Sequence, residues 1–455
     1  MSENSAFYRI CDKLSLWMLS LFALECVLGC SGRWLSFGGL SIRMVLFALC
    51  FFFTLPNVFS RLRSLIRSPF VILTLLLGVY FVIAAIIGWQ RKNNPGFIVA
   101  DITGFLTLAL MPGFLATICS PKRVGHLTDV IFWGALVLGA VTTGMHLAFS
   151  FMSDRAINQV NSWINAHSMG GLSYLQTGMH RIYFRSQIFL QVGLMIGLYK
   201  SWRADGWKRW LLFLAEGVIL FGCLMSYTRS FWLGFAVSAL LLLLLCPQYW
   251  KKYFISVGAI GVVIAMLFSL SWASYRQPVA FREFLGRFNP ALISGTLFPG
   301  GFPDFSDPTA TEPTEDPSVD EEAVNLRRET LIKLNEKISQ HPIFGSGLGT
   351  NLDGLREDGK TEYMYQDVLM KTGILGFSLF LAVFFLPTLL LLIRTGRASL
   401  RGTPLPWDSP EMGYGILATA VAGVAVTCYG NPFMLNPMGI LLVLLTAAAA
   451  GQARK

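Results

Sequence analysis

Apolar runs long enough to cross a bilayer recur from one end of this chain to the other, and that pattern restricts it to a bundle of membrane helices. They can be read near residues 15–30, 43–58, 69–89, 98–118, 128–152 and 184–200, then near 211–227, 230–247, 253–272, 363–393, 412–428 and 436–450. Hydrocarbon offers a backbone no water to bond, so a segment of this kind must satisfy its own N–H and C=O groups, as a helix does. The expectation is an all-α integral membrane protein with about 12 transmembrane helices. Composition agrees: with 54% hydrophobic and 14% charged residues and a mean hydropathy of +0.57, an ordinary soluble globule is excluded.

A single large polar segment interrupts the pattern and divides the chain into 1–272 with nine runs, a loop domain at 273–362, and 363–455 with three more. The loop domain opens on a basic, aromatic stretch, 275–288, suited to a bilayer surface. An acidic linker rich in Pro and Thr follows at 300–320. Beyond it Val324, Leu331, Leu334 and Ile338 recur at helical spacing, and Ser318 and Glu321 have the spacing of a capping box. An amphipathic helix is expected there, stopped by Pro342, with Gly345, Gly347 and Gly349 forming a turn-rich approach to the next span.

The net charge of +10 raises the question of nucleic acid, but the basic residues gather in alternate polar gaps instead of one patch. Arg61, Arg63, Arg67, Lys122, Arg123, Lys200, Arg203, Lys208, Arg209, Lys251, Lys252, Arg394, Arg397 and Arg401 all fall in such gaps. Lys and Arg in short loops mark the cytoplasmic side of a membrane protein. No nucleic-acid partner is therefore expected, both termini are placed in the cytoplasm, and the loop domain lies on the opposite face. Glu3 and Asp12 near the start, with no small-residue cleavage site after the first apolar run, predict that this run stays as an anchor. The eight cysteines sit in or beside apolar runs and the histidines are scattered at 126, 146, 167, 180 and 341, a poor pattern for disulfides or zinc. No metal and no cofactor are expected.

Several charges stand where a membrane makes charge expensive. Arg229, in Ser226-Tyr227-Thr228-Arg229-Ser230, lies between two apolar runs that leave almost no loop. Its planar fork matches phosphate oxygens, although an arginine at that depth also snorkels to lipid headgroups. Arg181 and Arg185 flank Tyr183 at the outer start of another run and read either as further anion ligands or as interfacial anchors. His341 closes the amphipathic segment, as a catalytic group or as a cap that suits the helix dipole. Glu362 stands where the chain re-enters the membrane, with Asp367 about a turn further on. It is placed either to accept a proton from a sugar hydroxyl or to complement a helix N-terminus. Glu25, Asp101, Glu216 and Lys371 remain within the apolar runs, as structural pairs or as the lining of a path.

About twelve spans, a large outer loop after the ninth, Thr228-Arg229-Ser230 on a tight hairpin, and Arg327 and Arg328 followed by His341-Pro342-Ile343-Phe344-Gly345-Ser346-Gly347-Leu348-Gly349 form one set of features. With the run from Tyr365 to Gly376, they resemble the O-antigen ligase/polymerase superfamily, the WaaL- and Wzy-like membrane glycosyltransferases. The resemblance implies a GT-C-like bundle in the bacterial inner (cytoplasmic) membrane, multi-pass, with its active site facing the periplasm. It implies an undecaprenyl-diphosphate-linked glycan donor, a glycan or lipid acceptor, and metal-independent transfer, among membrane lipids and beside a chain-length regulator or flippase partner. Arg229, Arg185, Arg181 and Arg328 are then the diphosphate ligands, and Glu362 or His341 the base. One departure stands out. Ligases of this kind carry a His-Asn-like pair about eleven residues before the glycine that Gly373 matches, where this chain has Glu362-Tyr363. That departure leans the reading toward a polymerase, with Glu362 as the replacement base. A transporter or flippase of lipid-linked oligosaccharides is the alternative, since it too needs many spans and interior charges.

Overall fold

The computed structural model describes residues 6–30, 32–37, 40–175, 179–286, 319–352, 361–401 and 405–453. Most of the acidic linker, the capping-box Ser318 and the side chain of Arg327 lie outside the described residues. Apart from two small hairpins the protein is all-α. Its first half runs α1 (Ala6–Leu28), the hairpin β1 (Ser36–Phe37) and β2 (Leu40–Ser41), α2 (Ile42–Ser60), α3 (Leu62–Ile66), α4 (Pro69–Gln90), α5 (Pro95–Phe105), α6 (Met111–Thr117) and α7 (Pro121–Phe149). Helix α8 (Asp154–Ala166) and the hairpin β3 (Gly170–Tyr174) and β4 (His180–Phe184) come next. The rest comprises α9 (Ile188–Arg203), α10 (Trp207–Leu224), α11 (Arg229–Leu245), α12 (Trp250–Tyr275), α13 (Val279–Gly286), α14 (Val319–Gln340), α15 (Met364–Leu400), α16 (Pro410–Thr427) and α17 (Pro437–Ala453).

Seven helices among the described residues, not about twelve, are long and apolar enough to cross a membrane. They are Ile42–Ser60, Pro69–Gln90, Pro95–Thr117, Pro121–Phe149, Pro247–Tyr275, Met364–Leu400 and Pro410–Gly430. The correction has a geometrical cause. A helix rises about 1.5 Å per residue and needs ~20 residues for a ~30 Å hydrocarbon layer, whereas α9, α11 and α17 have 16, 17 and 17. Helix α1 carries Arg9, Asp12, Lys13 and Glu25, and α10 carries Lys208, Arg209 and Glu216. An odd number of spans also removes the parity argument that placed both termini on one side.

Burial separates the helices into a centre and a rim. Every residue of α17 from Met438 to Ala450 is buried, as expected of a helix apolar on all sides, and α9 and α16 are nearly as enclosed. Helices α4 and α12 instead expose Leu75, Val79, Val82, Phe254, Val262 and Met266, an apolar surface of the kind a bilayer covers. Ion pairs lie where this scheme permits them. Glu25 and Arg43 form a buried pair at 2.6 Å, and Arg43 also donates to the Cys30 carbonyl.

Helices α11 and α16 pack closest through glycine. A Cβ at Gly234 would stand 2.1 Å from Thr427 Oγ1, and one at Gly423 would stand 2.2 Å from the Gly234 carbonyl oxygen. Small residues let membrane helices approach until side chains bond across them, and Gln191 does so with Ser238 at 3.3 Å and Thr427 at 3.1 Å. Gly423→Leu is therefore expected to destabilise the bundle by about 1–3 kcal/mol or more, through overpacking. Thermal unfolding in detergent measures it, and an unchanged melting temperature would contradict the contact.

Loops collect at two ends of the bundle. At one, Arg123 pairs with Asp12, Lys200 with Asp129, and Lys252 lies over the Trp407 ring. At the other, Cys30 meets Ser186, β4 meets the turn after α10, and the segment after α16 meets the start of α11.

Candidate functional site: an uncapped helix start among arginines

The turn between α10 and α11 is held in an unusual conformation by its neighbours. Ile182 of β4 donates its N–H to the Met225 carbonyl at 3.2 Å, and Arg181 donates to the Ser226 carbonyl and, at 2.8 Å, to Thr228 Oγ1. Tyr227 is buried at φ +47°, a region non-glycine residues rarely adopt, and its hydroxyl donates to the Ala280 carbonyl at 3.2 Å. Thr228 occupies the N-cap of α11, but its hydroxyl donates back to the Ser226 carbonyl and makes no cap hydrogen bond. The helix thus starts without a side-chain cap and with a cation, Arg229, as its first residue. Both choices run against what stabilises a helix start, where a capping oxygen and negative charge are preferred. Uncapped N–H groups beside a guanidinium are what an anion requires.

The three arginines on β4 and around this turn are in different states. Arg181 is committed to holding the turn, with its guanidinium 6.0 Å from the Tyr183 ring centre. Arg185 and Arg229 are exposed, and neither guanidinium makes a hydrogen bond or ion pair among the described residues. The segment after α16 forms another wall: Asn431 donates to Ser230 Oγ at 2.9 Å, and Phe433 packs on Phe231 and Tyr183. Glu362, half-buried just before α15, comes near the same place, because its neighbour Tyr363 packs on Tyr429. Burial pushes the Tyr183 phenol up, Arg185 and Arg181 pull it down, and Glu362 pushes it up again.

His341 and Arg328 belong to other surroundings. Arg328 lies exposed on α14 and makes no hydrogen bond or ion pair among the described residues. His341 follows α14, its carbonyl accepts the Gly345 N–H at 3.0 Å, and its imidazole is held below the usual range by desolvation and then by Arg91 and Lys337.

The glycine-rich loop that His341 opens completes a broken membrane helix. Helix α15 is interrupted at Gly373, φ +61° and ψ −174°, where a Cβ would stand 2.3 Å from the Ile343 carbonyl oxygen. Backbone groups freed by such a break need partners at membrane depth. Ser346 and Gly347 donate their N–H groups to the Met370 and Lys371 carbonyls at 2.7 and 3.0 Å, while Ile374 and Leu375 donate theirs to the Pro342 and Ile343 carbonyls at 2.8 and 3.3 Å. Beside the break Lys371 lies 3.0 Å from both Asp101 and Asp367, and Asp101 also accepts the Gly349 N–H at 2.9 Å. These three side chains are 4–10% exposed, and a cavity of about 20 Å³ next to the two carboxylates reaches Pro432 and Leu435 in the wall described above.

Fold and site together define a multi-pass, all-helical membrane protein whose arginine-rich turn sits at one end of the bundle. Residues 214–381 match the model of the O-antigen ligase family (Wzy_C), so the chain carries a domain of that family over less than half its length. The match contains the Arg229 turn, the glycine loop, Glu362 and the helix break. No curated protein matches the chain. Among the described residues no group of three or more His, Cys, Asp or Glu side chains is arranged to hold a metal ion.

Arg229, Arg185, Arg181 and Glu362 stand out in the sequence, whereas Tyr183 reads there only as an anchor and Asn431 does not stand out. Neither carries a motif of its own. Asp367 and Lys371 were visible as charges four residues apart on one helix face, a pairing distance, but their third partner Asp101 is 270 positions away.

Proposed function

We propose that the protein is an inner-membrane glycosyltransferase that moves an oligosaccharide from undecaprenyl diphosphate to a hydroxyl of a glycan or lipid acceptor, in the manner of a polymerase sooner than a ligase. The observation that carries this reading is Arg229, which opens a helix with no side-chain cap and makes no hydrogen bond or ion pair among the described residues, in the segment matched to the O-antigen ligase family that also holds Glu362; Arg185, outside that segment, is likewise unbonded among the described residues. In this mechanism the acceptor oxygen attacks the anomeric carbon, the bond from that carbon to the diphosphate oxygen breaks, and the diphosphate leaves with the electron pair. Arg229 and Arg185 neutralise the charge that grows on the leaving group. Arg181 keeps the turn in register, and Glu362 takes the acceptor proton. His341 is the alternative base and Arg328 a further cation on the loop domain, 273–362. The basic end of the bundle, with Arg123, Lys200 and Lys252, is then cytoplasmic, and the Arg229 turn faces the periplasm.

Purified protein supplied with the source organism's own lipid-linked glycan and a chelator tests the assignment. Wild type is expected to change the covalent attachment of the glycan. Glu362→Gln is expected to lower the rate about a hundredfold to ten-thousandfold with the fold intact. A near-normal rate for that variant would move the base elsewhere, and no transfer by wild type would remove the reading.

One observation favours the second reading, a transporter or flippase. Two membrane helices are interrupted, α15 at Gly373 and Pro95–Thr117 by a 3₁₀ stretch at Leu106–Leu110, and the Asp101–Lys371 pair joins them. Discontinuous helices with charges at the break are a transporter device. Sealed vesicles discriminate: a flippase relocates the lipid-linked glycan unchanged, whereas a transferase alters what it is bonded to.

A further inference from the structure

We propose that the outward face of α8 is a subsite that holds an uncharged stretch of the acceptor glycan; the proposal rests on the transferase reading. Helix α8 buries Ile157 and Ile164 against the bundle and presents Arg155, Asn158, Gln159 and Ser162 on the opposite face, with Trp163 beside them and 51% exposed. Those four polar residues line a shallow, open depression of about 580 Å³.

The composition of this face is what needs explaining. A helix face that only meets water is ordinarily built from Lys and Glu, which favour helix and pair at i,i+4. Here Asn158, Asn161, Ser162 and Asn165 fall within 13 residues, and Asn and Ser are poor helix formers because their side chains compete for backbone bonds. Two of them have a structural role: Asn161 accepts the Leu172 N–H at 2.9 Å and the Asn165 amide at 3.0 Å, which fixes α8 on β3. The side chains of Asn158, Gln159 and Ser162 make no hydrogen bond among the described residues. Each offers both donor and acceptor, the combination that neighbouring sugar hydroxyls also offer, and an exposed indole covers the apolar side of a pyranose. An acidic ligand fits poorly, since Arg155 is the only cation on the helix and Asp154 precedes it. A membrane-surface helix would carry several Lys or Arg on this face.

Position connects this face to the chemistry. The chain passes from α8 through β3 into β4, the strand that carries Arg181 and Tyr183, and the Arg185 N–H returns to the Met169 carbonyl at 2.9 Å. A glycan lying on α8 and a diphosphate at Arg185 and Arg229 thus meet opposite ends of one bonded unit.

The test uses the full chain in detergent and the combined variant Asn158→Ala, Gln159→Ala, Ser162→Ala. Alanine favours helix and these side chains hold nothing in place, so the variant is expected to melt no lower than wild type. The probe is the repeat-unit glycan released by mild acid from the organism's lipid-linked donor. Calorimetric titration is expected to show saturable binding to wild type and about tenfold or greater weakening in the variant, the effect of losing several hydrogen bonds of ordinary strength. In the transfer assay the variant's KM for acceptor should rise similarly while kcat and the KM for donor hold. Equal binding by both proteins would overturn the subsite, as would binding of phosphatidylglycerol vesicles in place of glycan. Transfer with an unchanged acceptor KM in the variant would also reject the subsite and leave the transferase reading standing. Glycan binding that is lost in the variant, in a protein that transfers nothing, would do the reverse.

Discussion

Replacing Lys371 with Met is expected to destabilise the protein by about 3–5 kcal/mol, enough to prevent its recovery from the membrane as a monodisperse bundle. Lys371 is buried between Asp101 and Asp367, each 3.0 Å away, and without its ammonium both carboxylates would stay behind in a low-dielectric interior without the charge they share. The damage should not remain local. Asp101 also holds the Gly349 N–H, and the neighbouring loop supplies the hydrogen bonds that the break at Gly373 takes from α15. Removing the charges together should be milder. In the triple variant Lys371→Met, Asp101→Asn, Asp367→Asn the carboxamide oxygen at 101 can still accept from Gly349, so much of the lost stability should return. Thermal unfolding in detergent, followed by size-exclusion chromatography, reads both proteins. A Lys371→Met variant that melts with wild type would show that the three charges do not stabilise the break.

Arg229→Ala is expected to lower glycan transfer about a hundredfold to a thousandfold, the loss typical when a preorganised group no longer meets the charge of a transition state. Its effect on stability should have the opposite sign. The side chain is exposed and unbonded among the described residues, and it places a cation where the dipole of α11 disfavours one, so its removal should leave the melting temperature unchanged or raise stability by about 0.3–1 kcal/mol. The two results together would mark Arg229 as a residue kept for a ligand. Arg229→Lys should recover only part of the rate, because an ammonium keeps the charge but loses the two-pronged geometry that suits phosphate oxygens. Wild-type turnover in Arg229→Ala would remove the anion site from the mechanism.

Hydropathy located nearly every helix of the bundle, yet it overstated the spans. An apolar run reports that a segment avoids water, and both lipid and the interior of a protein satisfy that preference. Helix α17 illustrates the ambiguity, since it carries no charged residue but is 17 residues long and buried among its neighbours. The Arg229 turn was legible for a different reason: a cation flanked by membrane helices is costly wherever the side chain points, so the residue stands out before any contact is known. His341 shows where such reasoning runs out. A histidine ending an amphipathic helix has the same local sequence whatever charges the fold brings near it, and only the structure puts Arg91 and Lys337 within its electrostatic reach.

What the sequence determined by itself was the helical, membrane-embedded class of the protein, the position of its polar insert from 273 to 362 and the sites where charge would need a reason, because each follows from the side chain's own preference for water. Tertiary structure decided which helices are long enough to span, that Arg181 braces the turn while Arg185 and Arg229 stay unengaged among the described residues, and that Asp101 meets Lys371 across 270 positions. Those outcomes depend on pairs of residues, and a pair's energy exists only once the chain has brought both partners within a few ångströms.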